Sequence, residues 1–100
     1  TDAASSHAAW MVDNDDYAHV TDGNPEGDTP TSRARHMGFS GQVGENIAWG
    51  QRTPDQAVAW WRRSEHHCGV LMDPSARVVG VAVEPDPVTS GWVWVMMTGD

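Results

Sequence analysis

The segment Gly44-Glu45-Asn46-Ile47-Ala48-Trp49-Gly50 is the most informative in the chain, because it places one carboxylate between two glycines with an apolar run directly behind it. Glycine allows backbone angles and close approaches that other residues resist. The side chains of Ile47, Ala48 and Trp49 favour burial, and they hold the carboxylate near a core. We therefore predict that Glu45 lies in a cleft and not on a solvated face.

Two histidines flank this segment at a distance in the sequence. His19 follows Asp15-Asp16-Tyr17-Ala18, and His67 follows Trp60-Trp61-Arg62-Arg63-Ser64. We predict that the chain folds so that His19 and His67 face Glu45 across one cleft. Two neutral imidazoles and a carboxylate suit a divalent cation such as zinc, and three protein ligands with an open position are usual in catalytic zinc sites. The alternative from the same residues is a metal-free cleft, in which the carboxylate shares protons with the imidazoles.

Length and composition exclude several classes of protein. One hundred residues form one domain, 1–100, with a small core. The formal net charge of −8 opposes binding to the phosphate backbone of nucleic acids. No apolar run approaches the ~18 residues of a membrane span. The single cysteine, Cys68, excludes an intrachain disulfide and a zinc finger.

Periodicity and punctuation predict the secondary structure. Helices are expected near 2–14, 29–37 and 53–65, a short helical turn over 67–72, and paired antiparallel strands over 78–84 and 92–97. Thr53, Pro54 and Gln56 form the best start signal, as a capping box with proline at the first helical position. The acidic loop between Val20 and Pro30 lacks calcium-loop spacing and is predicted to be a solvated turn.

Six tryptophans supply much of the apolar surface of this short chain. Trp60, Trp61, Trp92 and Trp94 fall in periodic elements and are predicted to be core residues. Ala57, Trp60, Trp61 and Ser64 share one helical face, which is expected to bury two indoles and bring Ser64 towards the cleft. The sequence does not decide whether Trp10 and Trp49 are buried. A carbohydrate-stacking platform is the alternative role for the tryptophans.

An ordered set of motifs spans nearly the whole chain and resembles the CAP superfamily of cysteine-rich secretory proteins, antigen 5 and pathogenesis-related proteins of group 1. The Gly44–Ile47 run resembles its G-E-N-I signature. The other matching positions are His7-Ala8, Met11, His19-Val20-Thr21, Ser32-Arg33-Ala34, Gly38-Phe39, Ala57-Val58, Trp61, Ser64, His67, Asp73-Pro74, Val79-Gly80-Val81 and Trp92-Val93-Trp94. The lack of cysteine pairs resembles the bacterial branch of SCP-like extracellular proteins. Against the family pattern, the chain lacks the N-terminal start.

The resemblance implies an α+β fold, a three-layer α/β/α sandwich with a small antiparallel sheet flanked by helices. It also implies secretion, and a cleft in which His19 and His67 hold a divalent cation, with Glu45 beside them. Plant and animal members carry a second glutamate where this chain has Ser64. Weak zinc binding is therefore expected.

Two functions are compatible with these residues. The first is a non-enzymatic binding module for a divalent cation, a small apolar or lipid ligand, or a protein partner. The second is a metal-assisted hydrolase, a peptidase or esterase, with Glu45 as general base. Ser64 would be its nucleophile if His67 served as base, although no established hydrolase motif is present. Whether the protein is an enzyme stays open, and the binding module is preferred.

The remaining histidines and the cysteine have less distinctive contexts. His7 and His36 are predicted to be ordinary helix residues. His66 neighbours His67, and adjacent helical side chains point about 100° apart, so only one of them is expected to bind a shared ion. Cys68 is either a third soft ligand, a reactive thiol or an inert small apolar residue.

Overall fold

The computed structural model describes residues 2–100, apart from the side chain of Asp2. This part of the chain forms four helices and three strands. Their order is α1 (Asp2–Asn14), α2 (Pro30–His36), β1 (Val43–Gln51), α3 (Pro54–Arg62), α4 (Glu65–Leu71), β2 (Val78–Pro85) and β3 (Trp92–Gly99). Within residues 2–100, none of the helices combines the length and apolar character needed to cross a bilayer.

The three strands form one antiparallel sheet in the order β1-β3-β2. The predicted pairing of the last two strands is confirmed, with Val81 opposite Met96. The segment around Glu45 is the third strand, β1, and it lies at the edge of the sheet. Its register with β3 shifts between Trp49 and Gln51. Gly50 occupies this irregularity with a φ of 95°, in the left-handed region that favours glycine.

Apolar side chains form one cluster on each face of the sheet, because successive side chains of a strand point to opposite faces. On one face, α1 and Ala34 of α2 pack against Ile47, Val93, Val95 and Met97. On the other, Ala57 and Trp61 of α3 pack with Ala48, Trp94 and Met96, flanked by Val70 and Leu71 of α4. The predicted α+β three-layer α/β/α sandwich is therefore confirmed.

Threonine caps begin two of the helices, each directly before a proline, and the predicted start signal at Thr53 is confirmed. Thr29 precedes α2 and exchanges hydrogen bonds with Ser32 in a capping box. Thr53 precedes α3, and its hydroxyl accepts a 3.2 Å bond from the backbone N–H of Gln56. In the predicted capping box, the Gln56 side chain would accept from the backbone N–H of Thr53. Its Oε1 instead accepts from the backbone N–H of Arg52, one residue earlier, at 2.8 Å.

Two predictions about tryptophan burial are confirmed and two are wrong. Trp61 is 3% exposed and Trp94 is 7% exposed, but Trp60 is 49% and Trp92 is 40% exposed. The Trp61 indole points into the core and donates a 3.0 Å hydrogen bond to the carbonyl of Ile47. Trp60 precedes it by about 100° around the helix and so points away from the sheet. Trp92 is the first residue of β3, at the end of the sheet.

The loop from Val20 to Pro30 is more ordered by internal contacts than a solvated turn. Thr21 and Asn24 are each 6% exposed. The backbone N–H of Thr21 donates to the carbonyl of Asp28 at 2.8 Å. The Asp28 carboxylate accepts the backbone N–H of Asn24, also at 2.8 Å. These bonds close the loop against the start of α2.

Candidate functional site

Glu45 is buried and lies against a buried arginine. It is 5% exposed, and Arg33 of α2 is 0% exposed. Nη2 of Arg33 lies 3.1 Å from each carboxylate oxygen of Glu45. Glu45 shares the sheet face of Ile47, two residues along the strand, so α1 and α2 cover it. A charged pair at such depth is costly unless its members are matched, and here each is the other's partner.

His19 joins this pair from the loop that follows α1. Its Nδ1 lies 2.8 Å from Oε1 of Glu45, and its side chain is 35% exposed. Nη2 of Arg33 also donates to the backbone carbonyl of His19 at 2.7 Å. Arg33 therefore fixes both the carboxylate and the backbone of the histidine. A carboxylate accepts hydrogen bonds, so Nδ1 donates this one, and in the neutral ring Nε2 keeps its lone pair.

His7 is a member of the site that the sequence analysis missed, and its prediction as an ordinary helix residue is wrong. It is 0% exposed. Its Nε2 lies 2.8 Å from the carbonyl of Ala18 and 3.7 Å from Oε1 of Glu45. Burial lowers the pKa of His7, against the opposing effect of Glu45, and the nearby Arg33 and His19 charges lower it further.

Signals for His7 and Arg33 were present in the sequence. His7 shares the apolar face of α1 with Ala4, Ala8 and Met11, where a histidine needs a buried partner. Arg33 stands between Ser32 and Ala34 in one of the motifs that carried the family resemblance. An arginine within an otherwise small-residue motif signals a buried ion pair once the fold is known.

His67 approaches from the opposite helical layer. It lies in α4, and its backbone carbonyl accepts a 2.9 Å bond from the side chain of Asn46. Asn46 follows Glu45 in β1 and points to the other face of the sheet. Because β1 is an edge strand, side chains from the two layers can meet over its free edge. His19 bonds Glu45 on the α1 and α2 side of β1, and His67 contacts Asn46 on the α3 and α4 side.

Electrostatics link the two cleft histidines. Burial lowers the pKa of His67, and the charges of His19 and His66 lower it further. Within the part of the chain that the structure describes, the buried Nδ1 of His67 has no hydrogen-bond partner. His67 therefore favours its neutral form near neutral pH, which is the form that binds metals.

The predicted position of Ser64 on the Trp61 face of α3 is wrong. Helix α3 ends at Arg62, and Ser64 is the N-cap of α4. Its Oγ accepts a 3.4 Å bond from the backbone N–H of His67. The three-residue spacing that suggested a nucleophile and its base instead closes the first turn of a helix.

The other candidate side chains lie around the rim or outside it. His66 is exposed, and Cys68 is a partly buried free thiol. His36 behaves as predicted for a helix residue, since it is exposed and pairs with Glu26 at 2.9 Å. Across residues 2–100, no group of three or more histidine, cysteine, aspartate and glutamate side chains is arranged to hold a metal ion. A metal-binding role for His19 and His67, with Glu45 beside them, stays a prediction.

A cavity of about 390 Å³, lined by apolar side chains and by polar backbone groups, lies on the α1 and α2 side of the sheet. Its walls come from both helices and from the ends of all three strands. They include Ala3, Ala34, Met37, Phe39, Val43, Val78 and Met97. This cavity contains none of the cleft residues His19, Glu45 or His67.

The chain belongs to the CAP family, the cysteine-rich secretory protein family, whose model matches residues 1–98. The ordered motifs, the three-layer fold and the paired cleft residues agree with this assignment.

Two similar proteins extend the comparison. The uncharacterized protein YkwD of Bacillus subtilis (strain 168) is 32% identical over 93 residues, which cover 92% of this chain and 34% of YkwD. The chain thus spans about a third of the length of that relative. An outer surface protein from Borrelia burgdorferi has the same fold, with a TM-score of 0.82 at 20% identity, over 98% of this chain and 70% of that one.

Proposed function

We propose that this CAP domain is a binding module whose cleft takes a divalent cation, best matched by zinc, through His19 and His67. The observation that carries the proposal is the 2.8 Å contact between Nδ1 of His19 and Oε1 of Glu45. Metal-binding histidines commonly donate their other ring N–H to a carboxylate, which fixes the tautomer and the ring orientation. Here that bond leaves the lone pair of His19 Nε2 available to coordinate the ion.

In this proposal Glu45 positions a metal ligand and is not a ligand itself. Its carboxylate already contacts Arg33 and His19, and its side chain is 1% exposed. It orients His19 and does not bind the ion itself. Two imidazoles are fewer than the three protein ligands of a catalytic zinc site, so we expect weak binding, completed by water. A bound zinc ion would supply a positive charge and Lewis acidity at the rim of the cleft.

The second histidine supports the same proposal through its burial. A nitrogen without a partner, such as Nδ1 of His67, is costly to bury. A neutral imidazole in that environment is ready to coordinate, because no proton must first be removed. The lowered pKa of His67 and its unpartnered Nδ1 support its role as the second ligand.

An apolar or lipid ligand is a second candidate, which the cavity of about 390 Å³ favours. Its volume lies within the usual range for small-molecule sites. The displacement of a fluorescent fatty acid would test it, using Val78→Trp to narrow the cavity and Val88→Trp, on an exposed loop, as the control. Loss of binding in Val78→Trp alone supports a lipid site, and equal binding in both variants contradicts it.

The hydrolase alternative has less support. Ser64 Oγ bonds to the backbone N–H of His67, and Glu45 is paired with Arg33 inside the domain. A general base needs to reach the proton of an attacking group, which this pairing opposes. Turnover of a peptide or ester library that Glu45→Gln abolishes would reverse the preference for a binding module.

We also propose an extracellular location. The family is described as one of secretory proteins, and the structural neighbour is an outer surface protein. Detection of the protein in culture medium or at the cell surface would support this location, and confinement to the cytoplasm would contradict it.

Calorimetric titration with zinc tests the cation proposal. The wild type should bind, and His19→Ala and His67→Ala should each abolish measurable heat. His36→Ala is the matched control, because His36 is exposed and pairs with Glu26 away from the cleft. Cys68→Ser controls for binding by the thiol and should leave the affinity unchanged. Equal heats in the wild type and both cleft variants would remove the proposal.

A further inference from the structure

A second concave site lies at the far end of β1. It is a groove of about 500 Å³ whose lining includes Trp49, Gln51, Gln56, Trp60, Arg63 and Thr89. Trp49 lies four positions after Glu45 along the strand, a distance of roughly 13 Å at the usual rise per residue. The groove contains none of the proposed cation ligands, so any function it has is independent of the cleft.

Two indoles at this groove remain unusually open to solvent. Trp49 is 45% exposed and Trp60 is 49% exposed. The ring of Tyr17 stacks on Trp49 with centroids 5.2 Å apart and planes inclined by 20°. This stacking braces one face of the indole and leaves the opposite face available. Open tryptophans that could have been buried in so small a core point to recognition of a ligand.

Polar groups with unused hydrogen-bonding capacity lie among the indoles. Among the described residues, Oε1 of Gln51 has no hydrogen-bond partner, but it is shielded from solvent and so from a ligand. Gln56 uses its Oε1 to accept the N–H of Arg52, and its amide N–H₂ remains a donor. The Thr89 hydroxyl donates to Asp86 at 2.7 Å and accepts the backbone N–H of Gly91 at 3.4 Å, which leaves one lone pair for a ligand. The groove therefore offers both donors and acceptors beside flat apolar surfaces.

The segment that supplies most of the groove is locally basic. The stretch from Trp49 to Arg63 holds three arginines against one aspartate, within a chain of formal net charge −8. Arg63 itself lines the groove. A guanidinium favours carboxylates, which it binds with paired hydrogen bonds.

We propose that this groove binds a glycan that carries carboxylate groups. The apolar C–H face of a pyranose ring stacks on the Trp60 indole, with Trp49 as the second aromatic surface. The amide N–H₂ of Gln56 donates to its hydroxyl groups, and Arg63 pairs with its carboxylate. A protein partner would need a larger and more continuous apolar surface than two indoles separated by polar side chains.

The probe for the test is tetragalacturonic acid, with its methyl ester as the uncharged control. Calorimetry and tryptophan fluorescence should show binding of the acid by the wild type. Trp60→Ala and Arg63→Gln should each weaken it by about tenfold, the effect of losing one stacking or charged contact. The methyl ester should bind the wild type about as weakly as the acid binds Arg63→Gln.

Matched variants separate this site from general effects. Trp92→Ala removes an indole that is 40% exposed and does not line the groove, and Arg62→Gln removes a neighbouring charge. Both should bind the acid like the wild type, and so should His19→Ala.

Three results would overturn the proposal. They are no binding of the acid at millimolar concentration, unchanged binding in Trp60→Ala and Arg63→Gln, or equal losses in Trp92→Ala and Arg62→Gln. Zinc titration of Trp60→Ala should match the wild type, so failure of the glycan site would leave the cation proposal intact.

Discussion

Arg33 and Glu45 form a buried ion pair in which one guanidinium nitrogen lies 3.1 Å from each carboxylate oxygen. The pair links α2 to β1, and the same guanidinium nitrogen bonds the backbone carbonyl of His19 at 2.7 Å. His19 is thus held by a charge pair that water does not reach. Because both oxygens of Glu45 are already held by Arg33, its carboxylate serves to orient His19.

Loss of one member of this pair should destabilise the domain severely. Arg33→Met would leave the Glu45 charge buried without its partner, and removal of one partner from a buried pair costs roughly 3–5 kcal/mol. Chemical denaturation should show this loss in the free energy of unfolding. Arg35→Met is the control, since Arg35 is exposed and bonds only backbone carbonyls. Arg35→Met should lose much less unfolding free energy than Arg33→Met.

The double variant Arg33→Met/Glu45→Gln tests whether the cost comes from the unpaired charge. It should be less destabilised than the sum of the two single variants, because the residual charge is gone. Additive losses would show that the two side chains contribute independently.

Trp61 should be essential to the α3 side of the core. It is 3% exposed and bonds the carbonyl of Ile47. Trp61→Ala should cost roughly 3–5 kcal/mol of unfolding free energy. Trp60→Ala, the adjacent exposed indole, should cost less than about 1 kcal/mol. Similar losses for both variants would contradict the orientation of α3.

Stability should fall as the pH drops below the ordinary histidine range. Burial lowers the pKa of His7 in the folded protein. Between that lowered pKa and about 6.5, the unfolded chain binds a proton that folded His7 does not, so stability rises with pH there. The stabilisation is complete above about pH 6.5 and is lost as the pH falls towards the folded pKa.

A His7→Gln variant isolates this effect from the other histidines. Its unfolding free energy should vary less with pH than that of the wild type between about pH 5.5 and 7.5. The lowered pKa of His67 should leave a residual slope of the same sign. A His7→Gln slope as steep as that of the wild type would exclude His7 as its source.

Ser64 should matter for stability and not for zinc. Its Oγ caps α4 through the N–H of His67 at 3.4 Å. Ser64→Ala should cost about 0.5–1 kcal/mol, and Ser64→Asp should recover most of that loss because aspartate also caps helices. Zinc affinity should be the same in both variants. A Ser64→Ala variant of full stability would refute the cap.

Sequence reasoning was strongest where local chemistry was explicit. The caps at Thr29 and Thr53 and the alternation in β3 depend on neighbouring residues, so they are readable without the fold. The burial of Trp61 followed from helical spacing. The fold class rested on ordered motifs that resemble a known family, and those motifs span elements that meet only in the folded domain.

Features that depend on distant contacts could not be predicted in the same way. Nothing local distinguishes Trp60 from Trp61; which indole enters the core depends on how α3 lies on the sheet. Arg33 and His7 are separated from Glu45 in sequence, and their roles become visible only when α1 and α2 cover its strand. Helix α3 ends at Arg62, which makes Ser64 the N-cap of α4. This boundary reflects the packing of two short helices against one sheet face.

The decisive measurement follows the imidazole ¹⁵N resonances of the wild type by NMR while zinc is added near pH 7.5. If His19 and His67 share one cation, their resonances should change together at the same zinc equivalents, with Nδ1 of His19 still protonated towards Glu45. Those of His36 and His66 should stay unchanged. Unchanged His19 and His67 resonances at saturating zinc, or a response of His66 with Cys68 instead, would contradict a cation site between the two cleft histidines.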